Sequence, residues 1–291
     1  LGGMVRGLCW FADNDRGWVP NDDRPAITIS RRDGVMELGL HFISAAFELK
    51  QPRRIVYGLV ATPTKPLPRD YRRWGGGNLK DHGPVAGRIT SCDSFAPWEV
   101  PARASHFDWW PRDYDWDFAK KASDRQRVSK HGKYPPGQAL MLYHDKRFVA
   151  AGRYAGYFNW EWYRNRTGAW PQTKVDCLVW YMDQWYGRDI MDGIYIDDVF
   201  PVPDYNWETG TAYKLPGGQV QPGSGIFPYR QYLKRLYNVF VTHGKRPIIT
   251  THMTSTVVVP FHTFATVAFD CEASGRFGDP KATFIDAWSL D

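Results

Sequence analysis

Three stretches of this chain end an apolar run in groups that could do acid–base chemistry. Met191-Asp192-Gly193-Ile194-Tyr195-Ile196 leads into Asp197 and Asp198. Pro247-Ile248-Ile249-Thr250-Thr251 leads into His252, and Phe264 to Phe269 leads into Asp270 and Glu272. Paired carboxyl groups are what glycoside hydrolysis requires: one protonated to assist the departing oxygen, the other ionised to attack or stabilise the anomeric carbon. Unlike surroundings let two carboxyls divide these roles, because burial holds one protonated while hydrogen bonds keep the other charged. Asp197 is the candidate ion. Glu272 is the candidate acid, since Phe269, Cys271 and Ala273 offer it apolar surroundings. Asp198 could replace Asp197 or act with it, one acid orienting a substrate acetamido group while its neighbour donates the proton. Tyr195, His252 and Asp270 are candidate substrate-binding residues. Each feature also has a plainer reading. An Asp-Asp pair can cap a loop or helix, a strand-end histidine can be structural, and a glutamate can serve as a supporting acceptor or bind a substrate hydroxyl.

Such residues work only if strands deliver them to one place. In Gly193 to Asp197, alternation puts Ile194 and Ile196 on one face and Tyr195 and Asp197 on the other. Val175, Leu178, Val179, Met182 and Trp185 recur at helical spacing before this strand, with Gly187 as a stop. Tyr229, Tyr232, Leu233, Leu236 and Phe240 define a second helix that ends at Gly244. Further strands are expected at Val85 to Cys92, Ala139 to Asp145, Pro247 to His252 and Phe264 to Glu272, and a helix from Trp116 to Lys130. The Gly- and Pro-rich stretch Pro201 to Gly225 reads as a long loop, of the kind that is functional or mobile. Strand–helix alternation of this sort predicts an α/β barrel of parallel strands with helices outside, and such barrels carry their chemistry at the carboxyl ends of the strands. About five or six barrel strands can be counted where eight are needed, so the barrel is expected to be incomplete in this chain, with a missing segment or a second chain completing it. Residues 1–75 read differently. Ala26 to Ser30, Val35 to Ile43 and Arg54 to Thr62 alternate as antiparallel strands, with Asp33-Gly34 as a hairpin turn. Pro63, Pro66 and Pro68 end the sheet, and Gly75-Gly76-Gly77 marks the boundary to the barrel segment at 76–291.

Composition fits this class. The chain has 291 residues with 14 Trp, 16 Tyr and 16 Phe, an aromatic content suited to stacking on the C–H faces of sugar rings as well as to filling a core. Trp109, with Trp110, and Trp160, with Trp162, are candidate sugar platforms. The net charge of +6 is scattered, with only short basic clusters at Lys50 to Arg54 and Arg69 to Arg73, and no nucleic-acid-binding motif occurs. Asp197, Asp198, His252 and Glu272 are acceptable metal ligands. They lack a tight motif such as His-x-x-x-His, so neither a metal nor another cofactor is expected. Cys9, Cys92, Cys177 and Cys271 lie far apart, which argues against a zinc ribbon or redox pair and leaves disulfides open. No apolar run is long enough to span a bilayer. Leu1 to Gly7 does not read as a signal peptide but as an entry into the middle of a larger protein, so the compartment is not legible.

Several segments carry a resemblance. Leu8-Cys9-Trp10-Phe11-Ala12-Asp13-Asn14-Asp15-Arg16-Gly17-Trp18 is similar to the end of the β-domain in large bacterial proteins described as glycoside hydrolase family 123-like. Tyr57 to Pro68, Asp192 to Asp198, Arg246 to His252 and Phe269 to Glu272 follow in the same order. The resemblance implies a β-sandwich followed by a catalytic barrel, an oligosaccharide or polysaccharide substrate, and relatives that are exported. Characterised family 123 enzymes are β-N-acetylgalactosaminidases that use an adjacent Asp-Glu pair, where this chain has Asp197-Asp198. The Gly-Ile-Tyr-Ile-Asp strand also resembles the nucleophile strand of several retaining α-glycosidase families. Hydrolysis of a glycosidic bond is therefore the expected activity, weak or absent in the chain alone, and a carbohydrate-binding protein with a degenerate site is the alternative.

Overall fold

Apolar runs flanked by amphipathic helices build the part of the molecule that carries the candidate residues. The computed structural model describes residues 2–3, 6–66, 116–117, 120–121, 123–124, 141–145, 170–208, 210–252 and 258–269. The expected strand at Val85 to Cys92 and the boundary near residue 75 lie outside them. So does most of the expected helix at 116–130, of which residues 116, 117, 120, 121, 123 and 124 are helical.

The N-terminal part is antiparallel. Strands β1 (Gly2–Gly3), β2 (Arg6–Phe11) and β5 (Gly58–Thr62) form one sheet with β2 in the centre. Strands β3 (Ile27–Arg32) and β4 (Val35–Leu40) form a hairpin. Its turn is Asp33-Gly34, both with positive φ (50° and 81°), the mirror-image turn that matches the twist of paired strands. A chain of rings, Trp10, Trp18, Phe42 and Tyr57, runs between these pieces at centroid distances of 5.9, 4.9 and 5.3 Å.

Among the described residues, the remainder forms a fully parallel sheet in the order β11 (Val267–Phe269), β10 (Ile249–His252), β7 (Gly193–Asp197), β6 (Met141–Asp145). Helices α1 (Gln172–Gly187) and α2 (Ile226–Thr242) pack against it, and a short helix α3 (Val259–His262) precedes β11. The helices cover the face bearing Ile194, Ile196 and Ile249, and Met182, Trp185, Tyr186, Tyr232, Leu236 and Phe240 complete this core. The residues at the N-caps of the two long helices, Pro171 and Gly225, offer no capping side chain of their own, and packing of the apolar stripes holds both helices. Tyr186 and Phe240 meet at 4.1 Å between centroids, and His243 Nε2 pairs with Asp183 Oδ1 at 2.8 Å near the C-terminal end of α2. The opposite face of the sheet carries Met141 and Tyr195, with Ile248 against them.

The two parts are stitched together around the start of α2. The Asp13 carboxylate accepts the Phe227 N–H at 2.8 Å, and the Asp13 carbonyl accepts the Ser224 N–H at 2.7 Å. Asn14 Nδ2 donates to the Thr211 carbonyl at 2.6 Å, and Tyr213 Oη to Asp15 at 2.8 Å. Burial pushes the Asp13 carboxyl up to about 6, and Asp204 adds repulsion, against the lowering effect of the Phe227 and Ile226 N–H groups. Lys65 donates to the Ala265 carbonyl just after α3, and burial lowers its pKa to about 8. Thus Pro201 to Gly225 is more structured than its composition suggests. It contains a small hairpin, β8 (Tyr213–Lys214) with β9 (Val220–Gln221), and a bridge between Asp204 and Gly223. The buried Asp204 side chain takes N–H bonds from Asn206 and Thr211, both at 2.9 Å. Side-chain bonds to the backbone, which periodicity does not register, hold this loop.

Candidate functional site at the carboxyl ends of the parallel strands

Strands β7 and β10 run side by side, with Ile249, Thr250 and Thr251 opposite Ile194, Tyr195 and Ile196. The next residue on each strand is a polar one, Asp197 on β7 and His252 on β10. Their side chains meet: His252 Nδ1 lies 2.7 Å from Asp197 Oδ1. The imidazole is almost fully enclosed, at 6% side-chain exposure, while the Asp197 carboxylate keeps 21%. With Asp197 ionised, Nδ1 carries the hydrogen and donates it. Tyr195 lies buried beneath, its ring centroid 6.1 Å from that of His252.

The backbone turns sharply after the strand. Asp198 adopts a left-handed φ of 52°, and its N–H donates to Asp197 Oδ1 at 2.9 Å. The Val199 N–H then donates to the His252 carbonyl at 2.7 Å, and the Phe200 N–H to the Asp198 carbonyl at 2.9 Å. Oδ1 of Asp197 thus receives one donor from its own backbone turn and one from the neighbouring strand. Such an arrangement orients a carboxylate and stabilises its charge. Val199 is fully buried and anchors the turn.

Tyr195, Asp197, Asp198 and His252 are brought together within one strand-end region. Asp270, Glu272, Trp109 and Trp160 lie outside the described residues, as do Trp110 and Trp162. Two further residues belong to the same region, and the sequence reading passed over both. Asp145 ends β6 in register with Asp197. Thr250 stands in register with Tyr195, is 6% exposed, and its Oγ1 has no hydrogen-bond partner among the described residues. The signal for Asp145 is visible in the sequence: Leu142-Tyr143-His144-Asp145 and Ile194-Tyr195-Ile196-Asp197 share an apolar residue, a tyrosine and a terminal aspartate in the same order.

Among the described residues, no group of three or more His, Cys, Asp or Glu side chains is placed to hold a metal ion. Cys9 and Cys177 are free thiols, and burial raises both above the ordinary thiol range. No described helix is long and apolar enough to cross a membrane. No known protein family, curated protein or solved structure matches the chain.

Proposed function

We propose that this chain carries the carboxylate half-site of a glycoside hydrolase-like barrel, with Asp197 as the ionised group at the anomeric carbon. The observation that carries this reading is the Asp197–His252 hydrogen bond of 2.7 Å at the carboxyl ends of two adjacent parallel strands. In barrels, this edge is where substrates are met. A carboxylate that receives two donors on one oxygen is held in place and kept negative, as a nucleophile or an oxocarbenium stabiliser must be. Tyr195 and His252 form the wall and the tether of the site. Asp198 is the alternative working acid on the same turn, and Glu272 the sequence candidate for the proton donor. The reading keeps the reaction class expected from the sequence, with an oligosaccharide or polysaccharide as the substrate.

The test uses the purified chain, a panel of nitrophenyl glycosides and oligosaccharides, and calorimetric binding, with wild type and Asp197→Asn side by side. The expected result is glycan binding by both proteins and a weak wild-type turnover that falls by about 10²-fold or more in the variant, the lower end of a catalytic carboxylate's usual contribution. Turnover unchanged in Asp197→Asn would overturn the reading, and so would the absence of both binding and turnover in wild type. Binding by both proteins with no turnover in either transfers the site to carbohydrate binding alone.

A further inference from the structure

Basic side chains of the helical layer are matched by acids. Arg235 on α2 pairs with Asp176 on α1, and just past α2 His243 pairs with Asp183 and Lys245 with Asp189. One basic cluster is not matched in this way. It lies where the antiparallel part meets the helices, around the turn at residues 263–265 between α3 and β11. Lys65, just beyond β5, donates to the Ala265 carbonyl. Arg230 on α2 holds its guanidinium over the Phe264 ring, 4.9 Å from the centroid. Thr263 closes α3. Separate parts of the chain thus bring an ammonium, a guanidinium and a hydroxyl to one short turn.

What these groups lack is an acceptor. Arg230 Nε and Thr263 Oγ1 are closed off from solvent, and neither has a hydrogen-bond partner among the described residues. The Phe264 ring attracts the guanidinium through its π face but offers no lone pair to its N–H groups. The Lys65 ammonium has three hydrogens to give, and the Ala265 carbonyl takes one. No carboxylate pairs with Lys65 or Arg230 among the described residues. Burial lowers the pKa of both cations, and no acid offsets the shift. His262, on the same short helix, is lowered by burial and then by the charge of Lys65. Partly buried cations without an anion are costly, and enclosed donors without a partner are uncommon. Lys65, Arg230 and Thr263 each keep part of their surface open, so a ligand can reach them.

We propose that this turn is a binding site for a tetrahedral oxyanion, a phosphate or sulfate group, held by Lys65, Arg230 and Thr263. The donor set selects the anion. A guanidinium, an ammonium and a hydroxyl together call for at least three acceptor oxygens, which a phosphate group offers and a carboxylate does not. Arginine meets such a group with its planar fork and lysine as a point charge. The site is separate from the strand ends that carry Asp197 and His252, because residues 263–265 precede β11 whereas those two residues end β7 and β10. Its ligand therefore binds whether or not the glycosidase reading holds. A bound oxyanion would also tie the chain beyond β5 to α2 and α3, and so brace the junction of the two parts.

The test is a calorimetric titration of the full chain with inorganic phosphate and with inorganic sulfate, ionic strength being held constant with sodium chloride. Acetate serves as the carboxylate comparison. The expected result is saturable binding of one phosphate or sulfate, with acetate weaker by about tenfold or more. Lys65→Gln and Arg230→Gln each weaken binding by about tenfold or more, the size of a lost charge-assisted hydrogen bond, and Thr263→Val by about two- to tenfold. Asp197→Asn leaves it unchanged. If the Lys65 and Arg230 variants do not fold, the wild-type protein still decides. A bound anion offsets the charge of Lys65, so the His262 ring resonance titrates at higher pH in phosphate than in chloride alone. Methyl phosphate and methyl sulfate separate the sources. Binding as tight as that of the inorganic anion assigns the site to a group carried on a larger molecule, and much weaker binding assigns it to the free anion. The proposal is overturned if neither inorganic anion binds saturably, if acetate binds as well as phosphate and sulfate, or if Lys65→Gln and Arg230→Gln leave the affinity unchanged. A His262 titration that phosphate does not move overturns it as well.

Discussion

Asp198 holds a conformation that most side chains avoid. Its φ of 52° lies in the left-handed region, where an L-residue bears a cost of roughly 1–2 kcal/mol, reduced for Asp and Asn by local hydrogen bonding. The turn aims the Asp198 N–H at Asp197 Oδ1 and the Val199 N–H at the His252 carbonyl, so backbone strain sits beside the candidate chemistry. Asp198→Val is therefore expected to destabilise the protein by about 1–2 kcal/mol in urea unfolding, since a branched side chain tolerates this φ poorly. Asp198→Gly is expected to leave stability unchanged or raise it by up to about 1 kcal/mol. Asp198→Asn keeps the turn and so separates the two uses of the residue. If its carboxyl takes part in hydrolysis, turnover falls while unfolding stays the same. If the turn is its whole purpose, neither changes.

The elements depend on close backbone approach as much as on apolar pattern. A side chain at Gly193, the first residue of β7, would run into the sulfur of Met141 on β6 and the side chain of Ile248 beside β10. Met141 pairs directly with Gly193, so this glycine lets β6 and β10 close on β7 from both sides. Gly193→Val should cost about 1–3 kcal/mol by overpacking, and should weaken hydrogen-exchange protection in β6 before that in α2. Equal protection in wild type and variant would show that the strands do not need this approach. The outlines of β7, β10 and both long helices were legible because their periods are strong: Ile194 and Ile196 alternate with Tyr195, and Tyr229 to Phe240 recur every three or four residues. The β8–β9 hairpin was not legible, because it rests on Asp204 binding the backbone at Asn206 and Thr211 rather than on any repeat. The Asp197–His252 contact lay beyond the sequence for a related reason. Alternation says which face a residue occupies, but only strand order and register say which neighbour it meets. Asp145 went unnoticed for want of the same information, although its tyrosine-and-aspartate ending matches that of β7.

At the scale of the molecule, the antiparallel part and the parallel sheet are joined through a carboxyl group placed at a helix start 213 residues further along the chain. The Asp13 carboxyl sits against the first N–H groups of α2, where negative charge is favoured, yet burial and Asp204 push its pKa from 3.8 up to about 6. This sets the sign of a pH effect. Below about pH 4 the group is protonated in the folded and unfolded chains alike, and its contribution to stability is fully present. Between about pH 4 and 6 the unfolded chain releases the proton while the folded chain keeps it, so stability falls as pH rises, and the loss is complete above the folded value. His262, on α3, works in the other direction. Burial, and then the charge of Lys65, lower its pKa from 6.5 to about 4, so its contribution is present above pH 6.5 and is lost as pH falls towards 4. The two opposing terms flatten the stability curve of the wild-type protein, and only a difference measurement separates them. Asp13→Asn keeps an oxygen for the Phe227 N–H and removes the titration. The stability of wild type relative to Asp13→Asn, from urea unfolding at pH 4, 5, 6 and 7, is expected to decline up to about pH 6 and then level off. Parallel curves for the two proteins would mean that the seam between the antiparallel strands and α2 does not feel the charge on Asp13.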